Sequence, residues 1–242
     1  MIYLRSTVFA LALLLVTPPF ALIAILSYPL GPFIRYSLIT GWTHAMLWVL
    51  KHIVHMDFCV VGAENIPRTA SIVLCKHQSA WETLSLQAVF PPQAWVLKKE
   101  LLRVPFFGWG LARLPIISID RNAGKDALTQ VIEQGQELLK TGFWVIVFPE
   151  GTRTAPGSKR RYKMGGACLA AVAGVPVVPV AHNAGEFWRK NAFLKYPGTI
   201  TMSVGPAFDA AGMTPDEINA RAEAWIESEM HRISPERYAQ AA

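Results

Sequence analysis

The chain has 242 residues, enough for one large hydrophobic core carrying an appendage rather than an array of domains. Hydrophobic residues make up 52% of it and mean hydropathy is +0.29, greasy for a soluble protein and low for one that crosses a membrane many times. Three scattered cysteines (Cys59, Cys75, Cys168) exclude a disulfide framework and show no metal-ligand spacing, while a net charge of +6 calls for an anionic partner: nucleic acid, anionic lipid or an acidic carrier.

No carboxylate precedes Asp57, and no charge lies between Arg5 and Arg35. Within that gap, residues 8–26 are nearly continuous apolar sequence, and 19 helical residues at ~1.5 Å each would about span a hydrocarbon core. Pro18-Pro19 is expected to cut the run, leaving either one kinked span or a helix pair dipping into one leaflet. A signal peptide is disfavoured, because no small-x-small cleavage site follows. From Phe33 to Val54, Trp42, Met46, Val49, Leu50 and Ile53 recur at helical spacing. That stripe fits an interfacial helix with Trp42 and Trp48 at headgroup depth, or an ordinary core helix. His44, His52 and His55 have no acidic or cysteine partner nearby and read as solvated or interfacial.

The pattern then changes to short apolar runs alternating with helical stretches. Strands are predicted at 58–62, 71–75, 95–98, 116–119, 143–148, 175–180 and 199–204. A helical stripe (Leu128, Val131, Ile132, Leu138, Leu139) precedes the fifth run. Residues 167–173 form a small-residue helix stopped by Gly174. Thr214-Pro215-Asp216-Glu217 has capping-box spacing with proline at the first helical position. This alternation predicts an α/β domain over 57–242 with a largely parallel central sheet flanked by helices, behind an N-terminal membrane-associated helical segment over 1–56.

Function in such sheets gathers past the carboxyl ends of strands. Three charged clusters occupy that position: Lys76-His77 through Glu82, Asp120-Arg121, and Pro149-Glu150-Gly151-Thr152-Arg153. Residues five apart on one helix stand about 140° apart around its axis. His77 and Glu82 therefore meet only if His77 lies in the turn before the helix that Glu82 opens. So placed, the carboxylate accepts one ring N–H and leaves the other nitrogen as a base; otherwise the pair is a solvated helix start. Arg153 begins a run of five cations within eleven residues (Arg153, Lys159, Arg160, Arg161, Lys163), suited to phosphate or equally to a solvated loop. With Tyr162 its one aromatic, that loop offers no base-stacking platform, which argues against nucleic acid. Ser79 lacks a nucleophile elbow, and Cys75 reads as a buried strand residue.

In order, H-Q-S-A-W-E (His77–Glu82), I-S-I-D-R (Ile117–Arg121), F-P-E-G-T-R-T (Phe148–Thr154) and V-P-V-V-P-V (Val175–Val180) resemble the four motif blocks of the glycerolipid acyltransferases. The likeness runs from about Asp57 to Gly205 and is nearest to the bacterial 1-acylglycerol-3-phosphate acyltransferases. The family's usual first-block acid is aspartate, and here it is Glu82. The resemblance implies direct acyl transfer without an acyl-enzyme: His77, oriented by Glu82, deprotonates the sn-2 hydroxyl of lysophosphatidic acid, which attacks a thioester of acyl-carrier protein or coenzyme A and yields phosphatidic acid. It further implies that Glu150, Gly151 and Thr152 help bind the acceptor, that Arg153, Arg121 and Lys98 hold its phosphate, and that no metal or cofactor is needed beyond the thioester co-substrate. Its partners would be membrane lipid and the acyl donor, and its place the cytoplasmic face of the inner membrane, consistent with the positive charge that follows the apolar segment. Two alternatives are another acceptor (glycerol-3-phosphate or a lyso-aminolipid) and a non-catalytic lipid-binding protein.

Overall fold

The computed structural model describes residues 1–119 and 125–238. Seven strands form one sheet: β1 (Met56–Val61), β2 (Ile72–Cys75), β3 (Gln93–Lys98), β4 (Ile116–Ile119), β5 (Trp144–Val147), β6 (Val177–His182) and β7 (Gly198–Val204). Their order is β1-β7-β6-β2-β5-β3-β4, and every neighbouring pair is parallel except β6 with β7. Each strand overlaps an expected run. The central strands I-V-L-C and W-V-I-V are buried throughout, which is why they read as unbroken apolar stretches rather than alternations.

Strand pleating divides the core in two. Ile72, Leu74, Val145 and Val147 face one layer, made with α5 (Lys125–Lys140), α6 (Gly165–Ala173) and α8 (Pro215–Ile233). Val73, Cys75, Trp144 and Ile146 face the other, which α1 (Ile2–Leu26), α2 (Pro32–Val49) and α3 (Glu82–Val89) close through Phe9, Met46, Leu84 and Leu86, with Leu50 just past the end of α2. Residues on both sides of the expected boundary near 56 thus share one apolar cluster. The local stop signals act as their chemistry dictates. Gly174 ends α6 at φ 61°, and Thr214 and Glu217 form a reciprocal capping box at the start of α8.

One expectation is corrected. Pro18 and Pro19 do not cut the apolar run; α1 continues through them for 25 residues, about 37 Å at ~1.5 Å per residue. Contacts with α2 surround the two prolines, each of which removes a backbone N–H donor from the helix. Trp42 Nε1 donates to Thr17 Oγ1 at 3.1 Å, and the Phe20 ring packs over Gly41. Trp42 therefore turns toward α1, while Trp48 remains exposed, and Met46 of α2 and Leu50 just beyond it face the core.

Candidate active site

The adjacent strands β6, β2 and β5 bring their carboxyl ends side by side and deliver His182, Lys76–Ser79 and Phe148–Arg153 to one place. Glu82 is the first residue of α3, and His77 stands in the loop ahead of it. His77 Nδ1–H donates to Glu82 Oε1 at 2.7 Å, which leaves Nε2 as the nitrogen able to take a proton. Phe148 stacks on the imidazole, centroids 4.0 Å apart, and limits its rotation.

Glu82 is fully buried, yet its oxygens are richly supplied with donors. The backbone N–H of Gln78 reaches Oε1 at 3.0 Å, and that of Ser79 lies 2.8 Å and 3.0 Å from the two oxygens. Burial alone would raise its pKa; the His182 and His77 imidazoles and the Ser79 N–H outweigh that and hold the carboxyl below the usual range. Glu82 is thus an anion fixed in place, the state required to orient an imidazole and stabilise its protonated form. His182 Nε2 donates to Lys76 O at 2.8 Å and lies 3.8 Å from Glu82 Oε2.

Beneath the dyad is a buried ionic cluster. Lys76 Nζ, wholly inaccessible, contacts Glu150 Oε1 at 2.8 Å and Glu227 Oε1 of α8 at 2.7 Å. Glu150 Oε2 accepts from the His77 backbone N–H at 2.7 Å, and Thr154 Oγ1 donates to Glu150 Oε1 at 3.1 Å. Tyr162 OH donates to Glu227 Oε1 at 3.0 Å. Burial pushes the Glu150 carboxyl up and Lys76 only partly opposes it; burial would lower Lys76, but Glu150 raises it above its ordinary value. The ammonium therefore stays charged, and its field anchors the carboxylate that holds the His77 peptide.

His77 opens onto a cavity of about 850 Å³. Its walls carry the cationic side chains Lys98, Arg153, Lys163 and Lys190 together with the apolar groups Phe20, Ile39 and Trp42 of α1 and α2. Among the described residues Arg153 Nε, although buried, has no hydrogen-bond partner, as expected of a guanidinium kept for a ligand. Gly151, at φ 69°, permits the turn; a Cβ there would lie about 3 Å from the Lys163 side chain.

Most site residues inferred from sequence meet here: His77, Lys98, Gly151, Thr152 and Arg153 line the cavity, and Glu82 lies directly behind His77. Glu150 departs from the expected acceptor contact. It is inaccessible and turned into the ionic cluster, because Lys76 and the His77 amide occupy its oxygens. Asp120 and Arg121 lie outside the described residues. Cys75 is buried and its thiol pushed well up by that burial, unsuited to act as a thiolate. Sequence reading missed Lys76 as an organiser and His182 altogether. A signal for the second existed, since a polar histidine closes the apolar run V-P-V-V-P-V-A-H at a strand's carboxyl end.

Residues 57–183 match the family model described as Acyltransferase. A 1-acyl-sn-glycerol-3-phosphate acyltransferase of Pseudomonas aeruginosa is 48% identical over 212 residues, 86% of this chain and 82% of that protein. The 1-acyl-sn-glycerol-3-phosphate acyltransferase alpha of Mus musculus is 34% identical over 168 residues, 68% of this chain and 59% of its own length. Among solved structures, the 1-acyl-sn-glycerophosphate acyltransferase PlsC of Thermotoga maritima superposes with a TM-score of 0.79 over 95% of this chain and 94% of that one, at 22% identity, a likeness of fold.

Proposed function

The chain belongs to the acyltransferase family, and from that premise we propose that it acylates the sn-2 hydroxyl of lysophosphatidic acid to give phosphatidic acid, with acyl-carrier protein or coenzyme A thioester as donor. The observation that carries this reading is one cavity lined by an oriented base, by cations and by apolar groups of α1 and α2. An acceptor with a phosphate at one pole and an acyl chain at the other fits that lining. His77 Nε2 takes the hydroxyl proton as the oxygen attacks the thioester carbonyl. The tetrahedral intermediate then collapses, the C–S bond breaks, and the imidazolium returns the proton to the departing thiolate. Glu82 stays ionised throughout and stabilises the imidazolium. Arg153, with Lys98, Lys163 and Lys190, binds the acceptor phosphate; Glu150 acts at one remove, fixing the His77 peptide.

The length and apolar composition of α1 support a membrane location. The catalytic domain grips α1 near both ends: Lys195 N–H donates to Ser6 Oγ at 3.0 Å, Phe9 packs edge-on to Trp188, and Gly110 packs on Ala21 and Ala24. A helix so held favours lying within the leaflet that the domain faces, which for cytoplasmic thioesters is the inner leaflet of the inner membrane.

The test is turnover by the purified full chain, crossing both donors with lysophosphatidic acid, glycerol-3-phosphate and a lyso-aminolipid. Lysophosphatidic acid should be the preferred acceptor. His77→Ala should lose about 10²–10⁴-fold in turnover, the usual cost of removing a general base, while still binding acceptor. Near-native turnover by that variant would overturn the mechanism.

A further inference from the structure

Between β3 and β4 the chain reads L-L-R-V-P-F-F-G-W (Leu101–Trp109), and it leaves large apolar side chains in water. Val104 is 42% exposed, Phe106 45% and Trp109 48%, with Leu101 and Phe107 beside them. A loose loop would show this by default, but the segment is tightly wound. The Gly108 N–H donates to Val104 O at 2.7 Å, and a Cβ on Gly108 would fall 2.4 Å from Leu102 O. Phe106 itself sits at φ 59°, a conformation that bulky side chains avoid. The backbone accepts strain in order to hold these side chains outward, and nothing in the acyl-transfer step uses Val104 or Trp109.

The position of the segment supplies the reason. The short helix α4 (Phe107–Leu111) packs on α1 through Gly110 against Ala21 and Ala24, and the Phe107 ring lies 6.1 Å from that of Trp42. Its exposed apolar groups therefore continue the exposed face of α1, where Leu11, Leu14, Leu15 and Leu22 point outward. Exposed cations, Lys99 and Arg103, stand beside the aromatics, the mixture that suits the boundary between headgroups and acyl chains. Phe106 and Phe107 also wall the cavity, so this boundary coincides with its edge.

We propose that residues 101–109 form a membrane-inserted lip of the catalytic domain, seated among the headgroups and upper acyl chains of the leaflet that holds α1. The partner is a phospholipid bilayer bearing anionic headgroups. The lip opens the cavity edge onto lipid, so a single-chain acceptor enters from the leaflet without exposing its hydrocarbon to water. This inference rests on the membrane placement proposed above and extends it to a part of the catalytic domain remote in sequence from the apolar N-terminus.

The experiment uses the full chain in vesicles of phosphatidylethanolamine and phosphatidylglycerol, with Cys59 and Cys168 replaced by serine. Single nitroxide labels are placed through Val104→Cys, Trp109→Cys, Leu15→Cys on α1 and Glu64→Cys on the exposed turn after β1. Collisions with oxygen, which concentrates in lipid, are compared with those of a water-soluble nickel chelate. Labels at 104 and 109 should be oxygen-dominated like the one at 15, and unlike the one at 64. Nickel-dominated relaxation at 104 and 109, with 15 still in lipid, overturns the lip and leaves the membrane placement of α1 standing. Nickel at all four positions overturns both. In addition, the double variant Val104→Asp/Trp109→Asp should partition into these vesicles several-fold less well with an unchanged melting temperature in detergent. Unaltered partition counts against the lip.

Discussion

Glu150 and Arg153 come from one turn of chain and end in opposite surroundings. Glu150 is inaccessible and every charge near it is answered: Lys76 lies between it and Glu227, while its other oxygen takes the His77 amide. Arg153 faces the cavity with its Nε unmatched among the described residues, and Lys98, Lys163 and Lys190 around it are exposed. The same motif thus builds two regions of different kind. The buried one holds its carboxylates on Lys76 and on backbone N–H groups and fixes the angle of a base. Among the described residues no ion pair offsets the positive charge of Lys98, Arg153, Lys163 and Lys190, which suits that rim to a phosphate. Orientation and recognition are therefore separable by substitution, and the three tests below run from the largest effect to the smallest.

The buried region should break first. Lys76→Met strands two carboxylates, and removing one partner of a buried ion pair costs about 3–5 kcal/mol. Denaturant unfolding should show a loss of that size. Glu150→Gln combined with Glu227→Gln in the same background should recover part of it, since neutral amides tolerate burial better than lone anions. In the fraction that stays folded, turnover should fall while acceptor KM holds, because the His77 peptide is disturbed and the rim is not. A loss of less than roughly 1 kcal/mol, the range of surface pairs, would show that the cluster does not organise the loop.

At the rim, Arg153→Ala removes recognition and leaves orientation. A hydrogen bond to a charged group is worth about 1.5–3 kcal/mol, and tenfold corresponds to about 1.4 kcal/mol. Catalytic efficiency with lysophosphatidic acid should drop about 10- to 150-fold, mostly in KM, with lysine restoring only part because it lacks the bidentate fork. A monoacylglycerol, lacking the phosphate, should be a poor substrate for both proteins and should register little further loss. Equal losses on both acceptors, or a large fall in melting temperature, would mean that Arg153 belongs with the buried region instead.

The two regions were not equally legible in the sequence. The strands were, because buried parallel strands are apolar throughout and end in polar clusters, and the five-residue spacing of His77 and Glu82 fixed where each must stand relative to α3. Arg153 and Gly151 stood out by residue type and loop position, while Lys98 came in through the family resemblance; all three line the cavity. The buried cluster was hidden for the opposite reason. Lys76 meets Glu227 across 151 positions, so no local pattern marks the pair. The resemblance implied an acceptor contact for Glu150, but a shared motif does not tell which side of a turn a side chain takes, and Glu150 turns inward to Lys76. The prolines of α1 misled similarly: their local cost is real, but Trp42 and Gly41, supplied by another helix, decide the outcome.

The smallest effect concerns protons in the buried region, and its sign follows from how His182 is held. Its Nε2–H donates to Lys76 O, and its Nδ1 accepts from the Ala184 N–H at 3.3 Å. Both nitrogens are satisfied in the neutral ring, and a proton on Nδ1 would face another donor. Trp81 lies against one side, and Glu82 Oε2 is 3.8 Å away. Burial lowers the His182 pKa from 6.5, and the attraction of Glu82 offsets only part of that. The unfolded chain therefore takes a proton that the fold refuses, so stability falls as pH drops below 6.5, at up to about 1.4 kcal/mol per pH unit for one proton. Glu82 acts lower: its pKa is depressed from 4.5, so the stability it contributes is present above that value and is lost as pH falls through its folded pKa. Between 4.5 and 6.5 the falling limb thus comes from His182 rather than from Glu82, and Glu150, raised from 4.5 by burial, opposes it there. His182→Gln, which offers one donor and one acceptor without titrating, should flatten the stability curve across that interval and leave the acid limb in place. An unchanged slope in the variant would show that His182 takes its proton in the fold as readily as in the unfolded chain, and that its burial against Trp81 does not set the slope.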